Sequence, residues 1–368
     1  MATPGPVNRT LLQSYYQNAG DVYDDTKTEG AFGTLADQLD ANYDYTSGLV
    51  AGGVLQPYPA SLFRQALING NFDVWQRGTS FNNAGASPTY TVDRFYIANA
   101  IDNNVKVLQS SSVPNKKSKF SARLEVMTAT AGVSAYSTFA QKIEDYQFFA
   151  GQKVTLSGWI KCDSGAAVIP YLADGVGNYV APAINSTQWT FFSYTAILNS
   201  SPTGISVILQ FNRYGLAVGV GVNISQLQFN VGDSAPAFQP RSFAEELALC
   251  QRYYEKSYTY GTAPATSGAT TGIQLFVLPS NTIAINQEYG TVSFKVQKRI
   301  TPTVTIYPFT TTANAGRVSQ ENGTDLPTAS GGTKFESERG FTVHNANGSA
   351  LTTNLNAIVF HFASDAEL

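Results

Sequence analysis

Charge is scarce in this chain. Only 13% of its 368 residues are Asp, Glu, Lys or Arg, against roughly a quarter in ordinary globular proteins. Hydrophobic residues still reach 43% and are spread along the sequence, so the low charge does not mean disorder. A net charge of −3 favours no nucleic-acid partner. There are two histidines, His344 and His361, both late and in strand-like sequence. A Ser-His-Asp or Cys-His arrangement needs a base close to its nucleophile, and no local grouping supplies one. The two cysteines, Cys162 and Cys250, do not make a disulfide framework and are expected to be free and buried. C-x-x-C zinc spacing, a P-loop and a dinucleotide-binding glycine fingerprint are all missing. Asp21, Asp24 and Asp25 do not follow a calcium-loop pattern. Glu144 and Asp145 are adjacent, and on a strand they would point to opposite faces, whereas glycosidase carboxylates oppose each other at about 5–10 Å. Catalytic residues, metal sites and cofactors are therefore not expected. No apolar run approaches the roughly 20 residues of a membrane span. Residues 1–6 lack the basic start and apolar core of a signal peptide. The expected product is made in a cytoplasm, does not insert into a membrane, and carries its Asn-x-Ser/Thr sequences at Asn8, Asn185, Asn199, Asn223, Asn322 and Asn347 by chance.

What is abundant is β-patterning. Val154, Leu156 and Ile160 alternate with polar neighbours, as do Ile205, Val207, Leu209 and Phe211. Ala122, Leu124 and Val126 form another such run, and Phe72, Val74 and Gln76 read as one more. Many short alternating strands without helices between them predict an antiparallel β-sandwich, specifically a jelly roll. The exception is Arg241–Tyr258. Ser242 and Glu245 have capping-box spacing, and Phe243, Leu247, Cys250 and Tyr254 share one helical face. That segment is expected to bridge two β units. Strand patterns resume after it, predicting a smaller C-terminal β-sandwich. Residues 1–60 stand apart, with seven acids and two bases. Phe32, Leu35, Leu39 and Tyr43 repeat there at helical spacing, in a segment too small to bury a core alone. The resulting division is 1–60 as a helical anchor and linker, 61–241 as a jelly roll, 242–258 as a bridging helix and 259–368 as a second sandwich. No period of 20–50 residues repeats, which excludes a solenoid or propeller.

The segments Asn69–Phe81 (NGNFDVWQRGTSF) and Tyr90–Arg94 (YTVDR) resemble a signature of tailed-bacteriophage fibre and tail proteins. Residues 141–145 (QKIED) and 151–159 (GQKVTLSGW) resemble the carbohydrate-binding-module-like jelly roll of that family, and residues 238–254 resemble its end. Phe95 stands where the pattern has Trp, and the final residues 364–368 (SDAEL) resemble fibre C-termini. The match covers about residues 65–260 well and the last hundred loosely. It implies a homotrimeric virion fibre: residues 1–60 attach to other virion proteins, with Phe32, Leu35, Leu39 and Tyr43 as anchoring residues, and the β-domains face outward. The motifs do not separate tail fibre from baseplate, neck or head fibre, so a purely structural fibre or decoration without a receptor is the alternative.

Sugar binding follows from composition as well. Aromatic rings stack on sugar faces while amides and carboxylates bond hydroxyls. Trp159 falls on the strand face opposite Val154, Leu156 and Ile160, beside Thr155 and Ser157. Tyr171, Asp174, Asn178 and Tyr179 lie in or beside the Gly-rich turn 173–179. These five are the candidate glycan-binding residues, and host-surface polysaccharide is the expected ligand.

Overall fold

Alternation places the side chains as the period predicts. Val154, Leu156 and Ile160 are fully buried, as are Val107, Leu124, Leu209 and Phe211, because every second strand residue points to the same face. These side chains meet in one core between two sheets of six antiparallel strands. With strands numbered along the chain, the first sheet holds β1 (Ser80–Asn82), β4 (Val105–Ser110), β5 (Ser121–Val126), β12 (Gly221–Val231), β7 (Lys153–Cys162) and β10 (Thr190–Ile197), in that order. The second holds β2 (Thr89–Tyr90), β3 (Tyr96–Asn99), β6 (Tyr136–Ile143), β11 (Ile205–Asn212), β8 (Ala167–Ala173) and β9 (Asn178–Val180). The orders β5-β12-β7-β10 and β6-β11-β8-β9 are those of a ribbon of eight strands folded over on itself, a jelly roll. The computed structural model describes residues 65–368 apart from 83–87, 100–104, 130–135, 281, 311–314 and 353–356. Phe32, Leu35, Leu39 and Tyr43 lie outside the described residues.

The predicted strand at residues 72–76 does not form. Asn69 and Phe72 take φ values of 61° and 57°, in the left-handed region that most side chains avoid. The Asn69 side chain accepts from the Val74 N–H at 3.0 Å and donates to the carbonyls of Val74 and Asp93. The Trp75 indole donates to the Phe72 carbonyl at 2.6 Å. Side chains that bond the local backbone compete with a ladder, and here they win.

The predicted helix is also shorter than its pattern. It runs Phe243–Gln251 (α1), and Ser242 Oγ accepts from the Glu245 N–H at 3.3 Å as the capping spacing predicts. The chain then turns into β13 (Tyr254–Lys256), because β22 (Ala357–Asp365) offers it a ladder. The expected apolar stripe is broken: Cys250 is buried, but Phe243 is 47% exposed and Glu246 is buried instead. Glu246 turns inward to accept from Asn69 N–H at 2.5 Å and Arg241 Nη1 at 3.1 Å.

Strand β22 organises the C-terminal part. It pairs with β13, β14 (Gln274–Val277), β17 (Thr303–Tyr307) and β18 (Ser319–Gln320). A second sheet holds β16 (Glu288–Ser293), β20 (Gly340–His344) and β19 (Gly332–Ser337), and the pair β15 (Thr282–Ile283) and β21 (Leu351–Thr352) stands beside them. Val292, Ile306, Phe341, Phe360 and Phe362 form a separate core there. Buried ionic groups join this part to the jelly roll. Arg94 packs its guanidinium 3.5 Å from the centre of the Tyr253 ring, pairs with Glu367 and donates to the Lys142 carbonyl at 3.0 Å. Arg77 lies 3.6 Å from the Tyr254 ring centre and reaches Asp365 at 3.1 Å and Glu367 at 3.3 Å. Within the C-terminal part, Glu255 on β13 and Lys298 make a buried pair at 2.6 Å.

Removing one partner of a buried pair leaves a desolvated charge alone. Glu367→Ala is therefore expected to destabilise the protein by roughly 3–5 kcal/mol, as measured by urea unfolding. A cost under about 1 kcal/mol, the worth of an exposed pair, would show that the clamp does not bear on stability.

Candidate functional site

The outer face of the second sheet carries an unbroken row of rings and apolar side chains. Register places Tyr90 opposite Tyr96, Tyr96 opposite Ala140, Ala140 opposite Ile208, Ile208 opposite Tyr171 and Tyr171 opposite Val180. Their neighbours in sequence, among them Ile97, Phe139, Leu209 and Leu172, are buried in the core, so the row points away from it. From Tyr96 to Tyr171 the row crosses three strand gaps, about 14 Å. A parallel row of Ala98, Thr138, Gln210 and Ile169 runs alongside, followed by Tyr136, Asn212 and Ala167. Gln210 Nε2 donates to Asn212 Oδ1 at 2.9 Å, linking the two amides along β11. Burial raises the Tyr96 phenol, partly offset by a hydrogen bond with Ser206. Burial also raises Tyr171, helped by the nearby phenols of Tyr136 and Tyr96. The Tyr96 and Tyr171 phenols therefore stay protonated at neutral pH. Half-buried rings interleaved with amides suit a saccharide: ring faces cover the sugar's C–H surface, and amides and phenols bond its hydroxyls.

The predicted site residues divide between positions. Tyr171 lies in the ring row, and Asn178, opposite Ala173, shares its face. Asp174 and Tyr179 point the other way. Asp174 is fully buried and accepts from the N–H groups of Val176 (2.9 Å), Gly177 (2.8 Å) and Asn199 (2.9 Å) and from the Tyr179 hydroxyl (2.7 Å). Burial works to raise its pKa, but the hydrogen bonds prevail and bring it down to about 2. Asp174 thus fixes the β8–β9 hairpin that carries Asn178, and has no lone pair to spare for a ligand.

Trp159 is on the first sheet, outside the core as expected, with its ring 5.5 Å from that of Phe191. It cannot join Tyr171, because the whole sandwich lies between them. Much of this outer face is covered. Thr155 donates to the Gly232 carbonyl, Gln228 to that of Pro236 and Asn230 to that of Ser234, so the segment after β12 lies over it. Thr155 and Ser157 are consequently buried.

Tyr96, Tyr136, Ile208, Gln210 and Asn212 are absent from the sequence-based site. Their one signal is that they alternate with recognised core residues such as Leu209 and Phe211. Strand pairing alone shows that they are neighbours. A Ser–His contact also went unforeseen: Ser257 Oγ lies 3.0 Å from His361 Nδ1. The ring is buried, stacks on Tyr258 at 3.8 Å and places Nε2 2.8 Å from the Ala269 carbonyl. Burial lowers its pKa. Enclosed in this way, the pair ties β22 to the segment after β13. Glu144, the other acidic candidate, is bound by Arg252 at 2.7 Å and by the Tyr253 hydroxyl, which hold its pKa down against burial.

No protein-family model matches this sequence, and no curated protein matches it. Similar folds occur among solved structures. The enzymatically active domain of bacteriophage CBA120 tailspike protein 4 is 17% identical at a TM-score of 0.31, over 46% of this chain and 22% of that one. TmCBM61, solved in complex with beta-1,4-galactotriose, is 13% identical at a TM-score of 0.32, over 46% of this chain and 99% of that one. The CBM22-1 xylan-binding domain from Paenibacillus barcinonensis Xyn10C is 12% identical at 0.27, over 38% and 87%. This chain spans about a fifth of the length of the tailspike chain.

A carboxylate held at a pKa of about 2 stabilises the fold above its unfolded value of about 4 and loses that contribution as pH falls through 2. Comparing urea unfolding of the parent and Asp174→Asn across that window is expected to show a drop in stability on acidification that the variant lacks. Identical acid profiles would mean that Asp174 does not hold the hairpin.

Proposed function

We propose that this chain is a surface appendage of a tailed-bacteriophage particle that holds host polysaccharide on the outer face of its second sheet. The observation that carries the binding half is the cross-sheet row Tyr96–Ala140–Ile208–Tyr171 with Tyr136, Gln210 and Asn212 beside it. A flat, half-exposed surface of this kind favours many weak contacts multiplied by avidity, which a multimeric fibre provides. The virion half is supported by the resemblance of residues 69–81, 90–94 and 238–254 to tail and fibre proteins. In this reading residues 1–60 dock into the particle and three copies associate. Leu275 and Val277, exposed by 48% and 73% on β14, are apolar surface that neighbouring copies would cover. The work of the protein is adhesion rather than bond cleavage, without cofactor or metal.

Titrating the chain with host-surface polysaccharide tests the face. Tyr96→Ala and Tyr171→Ala are each expected to weaken binding about tenfold, the loss of one stacking contact. Binding lost in Trp159→Ala but retained in both tyrosine variants would overturn the assignment and move the site to the first sheet. An absence of binding by the folded parent would favour a fibre or decoration without a receptor. Assembly has its own test. Sedimentation equilibrium of the full chain is expected to give three times the monomer mass, and a monomer would end the trimer reading.

A further inference from the structure

A second surface, lined by none of the ring-face residues, combines positive charge with aromatic walls. A cleft of about 700 Å³ opens between the loop before β5 and the start of α1, within the range of small-ligand sites. Its charged side comes from Lys116, Lys117 and Lys119, three cations within four residues of a chain whose net charge is −3. Its apolar side comes from Phe120, Phe243 and Tyr260. Phe243 is the residue that breaks the predicted buried stripe of α1. It stands 47% exposed, edge to face with Tyr260 at 5.0 Å. The Tyr260 hydroxyl accepts from Trp75 N–H at 2.7 Å and donates to the Asp73 carbonyl at 2.9 Å, so the ring is pinned.

The lysine loop is held by a buried polar network. The register of β12 on β7 shifts between Ser225 and Gln228, a bulge that leaves Gln226 at φ 52°. Gln226 Nε2 donates to Asn115 Oδ1 and to Ser118 Oγ, both at 2.8 Å. Ser118 in turn donates to Asn71 Oδ1 at 2.7 Å and receives Ser225 Oγ at 3.0 Å. Ser118, Asn71, Ser225 and Gln226 are all buried. The loop backbone is therefore ordered before binding, and only the lysine side chains remain to be immobilised. Lys117 Nζ donates to the Phe238 carbonyl at 2.9 Å, across the loop. Asp73, the carboxylate in the lining, accepts from Asn71 Nδ2 at 2.7 Å and faces Lys119, which leaves Lys116 and Lys117 without an acidic partner in the lining.

We propose that this cleft is a second saccharide site, selective for sugars that carry an anionic substituent. The rings of Phe243 and Tyr260 take the sugar's C–H face, and Lys116 and Lys117 take its carboxylate or phosphate. The saccharide part of this inference rests on the glycan-binding reading above. The preference for anions rests on the lysines alone. A nucleic-acid strand also offers anions and flat faces, but the three lysines are confined to one short loop of an acidic chain, and an extended basic groove is what strands require.

The test is calorimetric titration of the full chain with hexagalacturonate and with its methyl ester, which keeps the backbone and removes the charge. The free acid is expected to bind at least tenfold more tightly at low salt, with the gap closing at high salt as screening grows. Lys116→Ala with Lys117→Ala is expected to weaken the acid about tenfold and leave the ester unmoved, each exposed pair being worth up to about 1 kcal/mol. All these side chains are exposed, so the variants keep the fold. Competition by inorganic phosphate at similar concentration would assign the substituent to phosphate rather than carboxylate, within the same proposal. Equal affinity for acid and ester, no effect of the lysine pair, or tighter binding of a short oligothymidylate would each overturn it. Tyr171→Ala reads the ring face and the lysine pair reads the cleft, so the two sites can fail separately.

Discussion

The register of β11 between β6 and β8 is the constraint on which the candidate face depends. Ile205, Val207, Leu209 and Phe211 are all buried against the first sheet. Sliding the strand by one residue would expose these four and drive Ser206, Ile208, Gln210 and Asn212 into the core. Each large apolar side chain is worth about 1.5–3 kcal/mol of burial, so exposing the four would cost about 6–12 kcal/mol, comparable to the whole stability of a typical domain. The core therefore sets the outer surface: by fixing which residues go in, it aligns Tyr96, Ile208 and Tyr171 across four strands. The row of rings is held by hydrophobic burial on the opposite side of the backbone rather than by contacts among the rings.

The segments that resemble phage proteins turn out to be joints. Asn69 ties its own loop and receives Glu246 from α1. Gln76 bonds both oxygens of Asp93 and the Tyr254 carbonyl. Arg94 packs on Tyr253 and pairs with Glu367. Residues from 69–94, 241–255 and 365–367 thus converge where the jelly roll meets the C-terminal sandwich. A signature of this kind marks how the pieces are assembled, which explains why it points to an architecture more sharply than to a ligand. It also accounts for buried charge in a chain that has little of it, since breaking a buried pair costs more than forming it returns.

The two outer faces of the sandwich have been treated differently by the chain. The segments after β12 and before β5 fold over the first sheet and bond several of its amides and hydroxyls, among them those of Thr155, Gln226, Gln228 and Asn230. Among the described residues the outer face of the second sheet carries no comparable cover on its central strands, and there Gln210 bonds Asn212. The β12 bulge is where the covering loop gains a second use, since the glutamine it displaces is what fixes the lysines. Aromatic residues on the two sides, Trp159 with Phe191 and Tyr96 with Tyr171, are equally visible as composition, and Phe191 is 45% exposed, so it is the register that gives the second sheet the longer row.

Sequence alone determined the class of fold. Period-two alternation is a local property, and it is enough to say which face of each strand is apolar, hence that sheets must pack in pairs. It also determined the helix start, because Ser242 and its N–H partner are three residues apart. It placed Trp159 outside the core, for the same reason. Tertiary structure decided everything that depends on which strand lies next to which. Residues 96, 136, 171 and 208 are spread over more than a hundred positions, and no local pattern relates them. It decided that Asp174 serves its hairpin, because its donors include Asn199, twenty-five residues away. It ended α1 early, because the pairing of β13 with β22 is made by residues about 110 positions apart, and a ladder bond from so far along the chain carries no trace in the helix's own periodicity.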